Sequence, residues 1–261
     1  MCKEAAESLL QQLRELAPKI ESLLNSPSGE WSARGVIDQQ QTIYPLSYDT
    51  KLISKVIELM ILPTLREFAA QYGYRTEIAP EQNYYPDLTF IDQAECKFAL
   101  DIKTTYRIES KEGEVSAMTL GTFTGYFRNR ESRKNILYPY KEYSGHFVLG
   151  IIYTRADIHQ ENLKPIPIDA LETVRAVIRD IRVFVEHKYK IASDRPGSGN
   201  TKNIGSVRQI ELLLKGEGPF AEHGEEVFDE YWMNYQTVEM AKGSKVPYTN
   251  LQEFLVWRSN R

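Results

Sequence analysis

Residues 145–155 read GHFVLGIIYTR, a nearly unbroken apolar run. No polar alternation marks a solvent side, so a strand formed here must be covered on both faces. That places it inside a sheet, with other layers packed above and below. The surrounding sequence supplies helices for those layers. In residues 4–24, Leu9, Leu13, Leu16, Ile20 and Leu23 recur at helical spacing, with Pro18 expected to kink or split the helix. Residues 47–74 carry the strongest helix signal, with Asp49 or Thr50 able to cap the start and Gly73 the end, and with Pro63 expected to bend it. Residues 226–238 and 250–258 also read as helices, and 168–192 begins helical and ends as a strand. Residues 36–46 can form a short hairpin. The expected fold is therefore α/β or α+β, with a mixed sheet of five to six strands flanked by helices.

Residues 85–106, YPDLTFIDQAECKFALDIKTTY, predict a second hairpin. Its return strand alternates, with Phe98, Leu100 and Ile102 on one face and Ala99, Asp101 and Lys103 on the other. Asp87 on the outgoing strand can stand beside Asp101. Two carboxylates so close repel, and one is driven towards its protonated form unless a cation neutralises the pair. Oxygen ligands of this kind suit Mg²⁺, which retains several waters and bridges carboxylates to phosphate. The backbone carbonyl of Ile102 can add a ligand, and Lys103 can orient or help deprotonate an attacking water, or stabilise charge on a phosphate. A solvated strand face with an incidental Asp–Lys pair fits the bare pattern as well. Glu58 lies in the 47–74 helix between Ile57 and Leu59, and either reaches solvent or enters a site on the sheet.

Charge and cysteine usage narrow the class. The net charge of −4 disfavours a nucleic-acid partner at first sight, but residues 101–210 hold 18 Lys and Arg against 13 Asp and Glu, a net of +5. A local field on one face matters more than the total. No apolar run is long enough to span a bilayer, and no membrane partner is expected. Cys2 and Cys96 show no metal spacing. With Cys2 at a terminus expected to be mobile, a disulfide framework is not expected, and the protein is read as cytoplasmic.

The chain resembles the PD-(D/E)XK nucleases and, within them, the EcoRV-type restriction endonucleases. The segments IYPLSYDTK, EQNYYPDLTF, DIKTTY, TLG, FRN, KNILYP, YTR, GSGNTKNIGS and WMNYQ follow one another in that family's order. The resemblance implies a prokaryotic, Mg²⁺-dependent type II endonuclease, with Mn²⁺ able to substitute. The implied action is to cut double-stranded GATATC centrally to blunt ends as a homodimer. Host protection would fall to a cognate DNA methyltransferase that forms no stable complex with it. A nuclease of the same fold with another target or a repair role, and a catalytically silent DNA-binding protein, are the alternatives.

Carried over by position, Asp87, Asp101 and Lys103 are catalytic, with Glu58 as an auxiliary carboxylate; Asp87, Asp101, Ile102 and Glu58 hold metal. Gly197, Ser198, Gly199, Asn200 and Thr201 read bases, where paired glycines let backbone groups approach base edges. Gln82 and Asn83 lie in the minor groove, and Thr104, Thr105, Lys134, Lys202 and Asn203 contact the DNA backbone or support the recognition loop. The sequence departs from the family's pattern at Tyr84, where that pattern has histidine, at Lys202, where it has an uncharged residue, and in a shorter turn between Asp87 and Asp101. A single domain is implied. Within it, 1–30 is an N-terminal helical extension, about 31–46 a dimerisation hairpin, 47–155 the catalytic core, and 156–261 the recognition and C-terminal part.

Overall fold

The computed structural model describes residues 2–81, 83–156, 164–197 and 202–261. In chain order the elements are α1 (Cys2–Leu24), β1 (Gly35–Ile37), β2 (Thr42–Pro45), α2 (Thr50–Tyr72), β3 (Arg75–Ile78), β4 (Leu88–Ile91), β5 (Lys97–Tyr106), β6 (Thr119–Thr122), β7 (Tyr143–Arg155), β8 (Ile166–Pro167), β9 (Ile178–His187), α3 (Lys188–Ile191), β10 (Ala192–Pro196), β11 (Asn203–Ser206), α4 (Ile210–Lys215), α5 (Gly224–Asn234) and α6 (Leu251–Ser259).

The main sheet has the order β3-β4-β5-β7-β9. Its strands pair antiparallel except for β5 with β7, which run parallel, so the sheet is mixed as expected. Both faces are covered. Phe147, Leu149, Ile151 and Tyr153 of β7 join a core shared with Leu9, Leu13 and Ile20 of α1 and with Ile53, Ile57 and Ile61 of α2. Val148 and Ile152 face a second core, rich in aromatic residues, that contains Phe127, Tyr140, Tyr231 and Trp232. The apolar run of residues 145–155 is thus a strand whose alternate residues serve two different cores.

Two smaller sheets flank this body, β1-β2-β8 and β10-β11-β6. The first includes the hairpin expected in residues 36–46, with Val36 opposite Tyr44. The second holds together the strands on either side of residues 198–201 and joins them to β6.

Two local expectations are corrected. Pro18 does not split α1, which runs continuously for 23 residues, and α2 likewise runs for 23 residues through Pro63. A proline inside a helix costs about 3 kcal/mol, and burial of Leu9, Leu10, Leu13, Ala17, Ile20 and Leu24 on one side of α1 outweighs it. The same burial overturns the mobile terminus. It fixes Cys2 beside Cys96, and the two form a disulfide with a Cα–Cα distance of 5.8 Å across a separation of 94 residues. Among the described residues, no helix is long and apolar enough to cross a membrane.

Candidate active site

Asp87 precedes β4 by one residue, just after a cis Tyr85–Pro86 peptide. The β4–β5 register pairs Leu88 with Leu100, and one step further along the same diagonal brings Asp87 opposite Asp101. Asp101 is buried on the sheet face that meets the aromatic core. Lys103 lies two residues further along the same face. Its Nζ stands 2.9 Å from Asp101 Oδ2 and 3.9 Å from Asp87 Oδ2. The backbone N–H of Ile102 donates to Asp87 Oδ2 at 2.7 Å. Strand alternation and hairpin register therefore assemble two acids around a lysine, one within hydrogen-bond distance and the other within ion-pair distance of it.

Burial, followed by the charge of Asp101, lifts the Asp87 carboxyl to about 7; Lys103 and the Ile102 N–H pull the other way without overcoming it. Burial also acts to lower Lys103, but Asp101 and Asp87 together outweigh it and hold the ammonium above its ordinary value. The site thus carries an acid reluctant to ionise and a lysine reluctant to lose its proton. A divalent cation relieves that acid directly. Two carboxylates at one strand pair form a donor set suited to an ion that keeps much of its own water. Among the described residues, no group of three or more His, Cys, Asp or Glu side chains converges to hold a metal.

Asp87 lies where two clefts meet. One, of about 740 Å³, is lined by Asp87 with Thr50, Lys51, Ser54, Glu58 and Thr104. The other, of about 660 Å³, is lined by Asp87, Asp101 and Lys103 with Asn83, Lys134 and Asn203. Glu58 shares the first cleft but pairs with Lys55 at 2.7 Å on its own helix, so it stands beside the acid pair without joining it. The helix carrying it is set by the Asp49 carboxylate, which accepts from the N–H groups of Lys51 and Leu52, and by Gly73 in the left-handed region. Thr104 meets Ser54 of that helix, hydroxyl to hydroxyl, at 2.5 Å.

The remaining expected positions divide clearly. Asn83 and Lys134 are exposed at the second cleft. Thr105 is turned inward, buried, with its hydroxyl donated to the Ser116 carbonyl, and so braces the cleft wall. Asn203 opens β11 and its carbonyl accepts from the Gly197 N–H at 2.9 Å, closing the base of the 197–203 segment. Gly197 passes so near Gly205 that a Cβ on Gly205 would lie 3.0 Å from the Gly197 Cα. The Lys202 carbonyl accepts from the Phe123 N–H and the Thr122 hydroxyl. Gln82, Ser198, Gly199, Asn200 and Thr201 lie outside the described residues.

Sequence reading missed the aromatic group behind the acids. Tyr85 stacks on Tyr126 at 5.5 Å, and its hydroxyl meets His146 Nδ1 at 2.7 Å. His146 in turn stacks on Tyr140 at 4.1 Å. Beside them lies Lys188, 1% exposed. These residues come from five separate stretches of chain, and no spacing in the sequence connects them.

The family model described as restriction endonuclease EcoRV matches residues 27–259. Over 226 residues the chain is 38% identical to the type II restriction enzyme EcoRV of Escherichia coli, covering 85% of this chain and 89% of that protein.

Proposed function

The chain belongs to the EcoRV restriction endonuclease family and is a type II site-specific deoxyribonuclease, and from that premise we propose that it cuts both strands of GATATC at the centre. The products are blunt ends bearing 5′-phosphate and 3′-hydroxyl groups. Asp87, Asp101 and Lys103 carry the reaction, with Glu58 as an auxiliary acid. The single observation that carries this reading is the acid-acid-lysine cluster at the meeting point of the two clefts.

Asp87 and Asp101, with the Ile102 carbonyl, would hold Mg²⁺, or Mn²⁺ in its place. When bound, the metal would offset phosphate charge and make water more acidic. The chain's own groups do the rest. Asp101 Oδ2 accepts from Lys103 and so fixes the ammonium beside the acid pair. Lys103, 2.9 Å from Asp101, is assigned to stabilise charge building on the phosphate oxygens. A water oxygen bonds to phosphorus as one of its protons passes to solvent, the bond to the 3′ oxygen breaks, and that oxygen takes up a proton from solvent to become the 3′-hydroxyl.

Recognition is assigned to residues 197–203 in the major groove and to Gln82 and Asn83 in the minor groove, with Thr104, Lys134 and Lys202 along the backbone. Thr105 and Asn203 support these contacts from within. Cutting both strands of a palindrome needs two sites, hence a twofold homodimer. Val36 and Ile37 of β1 and Tyr44 of β2 are 57%, 53% and 48% exposed, an apolar surface that a second copy would cover. Residues of about 31–46 then form the dimer contact, 47–155 the catalytic core and 156–261 the recognition part. The Cys2–Cys96 disulfide removes the cysteine argument for a cytoplasmic site, so assignment to the prokaryotic cytoplasm, alongside a methyltransferase that protects host DNA, rests on the family alone.

The test is digestion of a plasmid of known sequence with Mg²⁺, followed by mapping of the ends. The expected result is blunt ends at GATATC, and cuts elsewhere would replace that target. Asp101→Ala should lower cleavage by about a thousandfold or more; full activity in that variant would remove the acid pair from the reaction.

A further inference from the structure

Lys188 is the first residue of α3, the single turn between β9 and β10. Its Nζ is buried and finds no hydrogen-bond acceptor among the described residues. Instead it lies 4.7 Å from the centre of the Tyr85 ring, 5.8 Å from that of Tyr140 and 6.0 Å from that of Phe127. A cation in such a cage gains from the ring faces, yet an ammonium without a hydrogen-bonded partner is a costly thing to bury. A methionine or leucine would fill the space without that cost.

Its neighbours connect two parts of the molecule that the reaction requires to act together. On one side, Lys188 starts the turn that leads into β10 and so to the 197–203 segment. The β11 strand that returns from that segment pairs with β6, pairing Asn203 with Thr122. Next to Thr122 in β6, Gly121 lies against the lysine, where a Cβ would come within 3.4 Å of Nζ and 3.3 Å of the Tyr126 hydroxyl. On the other side, Tyr85 is two residues before Asp87 and lines the same cleft as Asp87, Asp101, Lys103 and Gly121.

We propose that Lys188 is a positioning residue that couples the DNA-recognition arm to the acid site, its caged ammonium holding the Tyr85–Pro86 segment, and with it Asp87, in register with β6, β10 and β11. Burial drags the ammonium down to about 8, with Asp101 opposing that fall and Lys103 adding to it, so the charge is felt at the acid pair as well. A shift of the recognition arm on meeting its target moves the cation relative to the Tyr85 ring, and the ring carries the strand that bears Asp87. This inference rests on the nuclease reading above.

Lys188→Met keeps the side chain's length and apolar stem while deleting the charge. The measurements are single-turnover cleavage at the site mapped for the wild type, cleavage at sites differing by one base pair, DNA affinity without divalent metal, and thermal melting. The expected result is a melting temperature equal to or above the wild type, unchanged affinity, and a loss of about 10–100-fold in cleavage at the mapped site. Cleavage at near-matches should fall by less than about threefold, so discrimination narrows. Lys188→Arg, which keeps the cation, should retain more discrimination than Lys188→Met. Equal loss at matched and mismatched sites, or no loss at either, overturns the coupling. A variant that melts lower and loses affinity and cleavage together assigns Lys188 to the core alone and overturns it too. A wild type that cuts no DNA defeats the nuclease reading itself, an outcome separate from all of these.

Discussion

Asp87 concentrates the electrostatics of the site, and its sign can be checked in the metal-free protein. Its carboxyl titrates at about 7 when folded, first because it is buried and next because Asp101 is close, against an ordinary 3.8. Between those values the unfolded chain has released a proton that the folded chain retains. Folding stability from this group is therefore greatest at low pH and is lost as pH rises from about 4 to about 7, the reverse of an ion-paired acid. Asp87→Asn should flatten that part of the curve, read as melting temperature against pH in EDTA. Added Mg²⁺ should raise the wild-type melting temperature more at pH 8 than at pH 5, since at pH 5 it must displace a proton. At Glu58 the expectation is milder. Its carboxylate already has Lys55 as a partner, so Glu58→Gln should slow cleavage about tenfold, well short of the effect at Asp101.

Elements were legible in the sequence where one periodic pattern met one environment. The alternation of Phe98, Leu100 and Ile102 against Asp101 and Lys103 announced β5 and placed its polar pair, because side chains on a strand can only alternate. The caps of α2 were equally readable: Asp49 and Gly73 act by local backbone chemistry and need no distant partner. Asp49→Ala should cost about 1 kcal/mol, measured as a lower urea midpoint. It should also slow cleavage modestly, since α2 carries Ser54 and Glu58 to the cleft. Lys188 was illegible for the opposite reason. It sits at a junction where a strand becomes one helical turn, and its partners Tyr85, Phe127 and Tyr140 arrive from remote segments. Pro18 does not split α1 because the buried face of that helix overrides local propensity.

At the scale of the whole molecule, the exposed apolar strip on β1 and β2 and the tether at α1 make separate demands. Ile37→Lys places a charge where a second copy is expected to pack. It should give monomers by sedimentation and abolish linear product from a circular plasmid, while leaving the melting transition of the isolated chain nearly unchanged. The tether is independent of that surface. The α1 helix precedes the region matched by the family model, which begins at residue 27, yet it contributes much of one core and is bound through Cys2 to Cys96 on the approach to β5. A crosslink across 94 residues restricts the unfolded chain, and links of this kind typically contribute about 2–4 kcal/mol. Reduction should lower the urea midpoint accordingly, and Cys96→Ser should match the reduced wild type with no further response to reductant. Because Cys96 sits in the turn between Asp87 and Asp101, loosening of the hairpin would appear as slower cleavage after reduction at temperatures where the protein remains folded. If cleavage keeps its rate while the midpoint falls, the tether secures α1 alone, and the register of β4 on β5 suffices to hold the acids together.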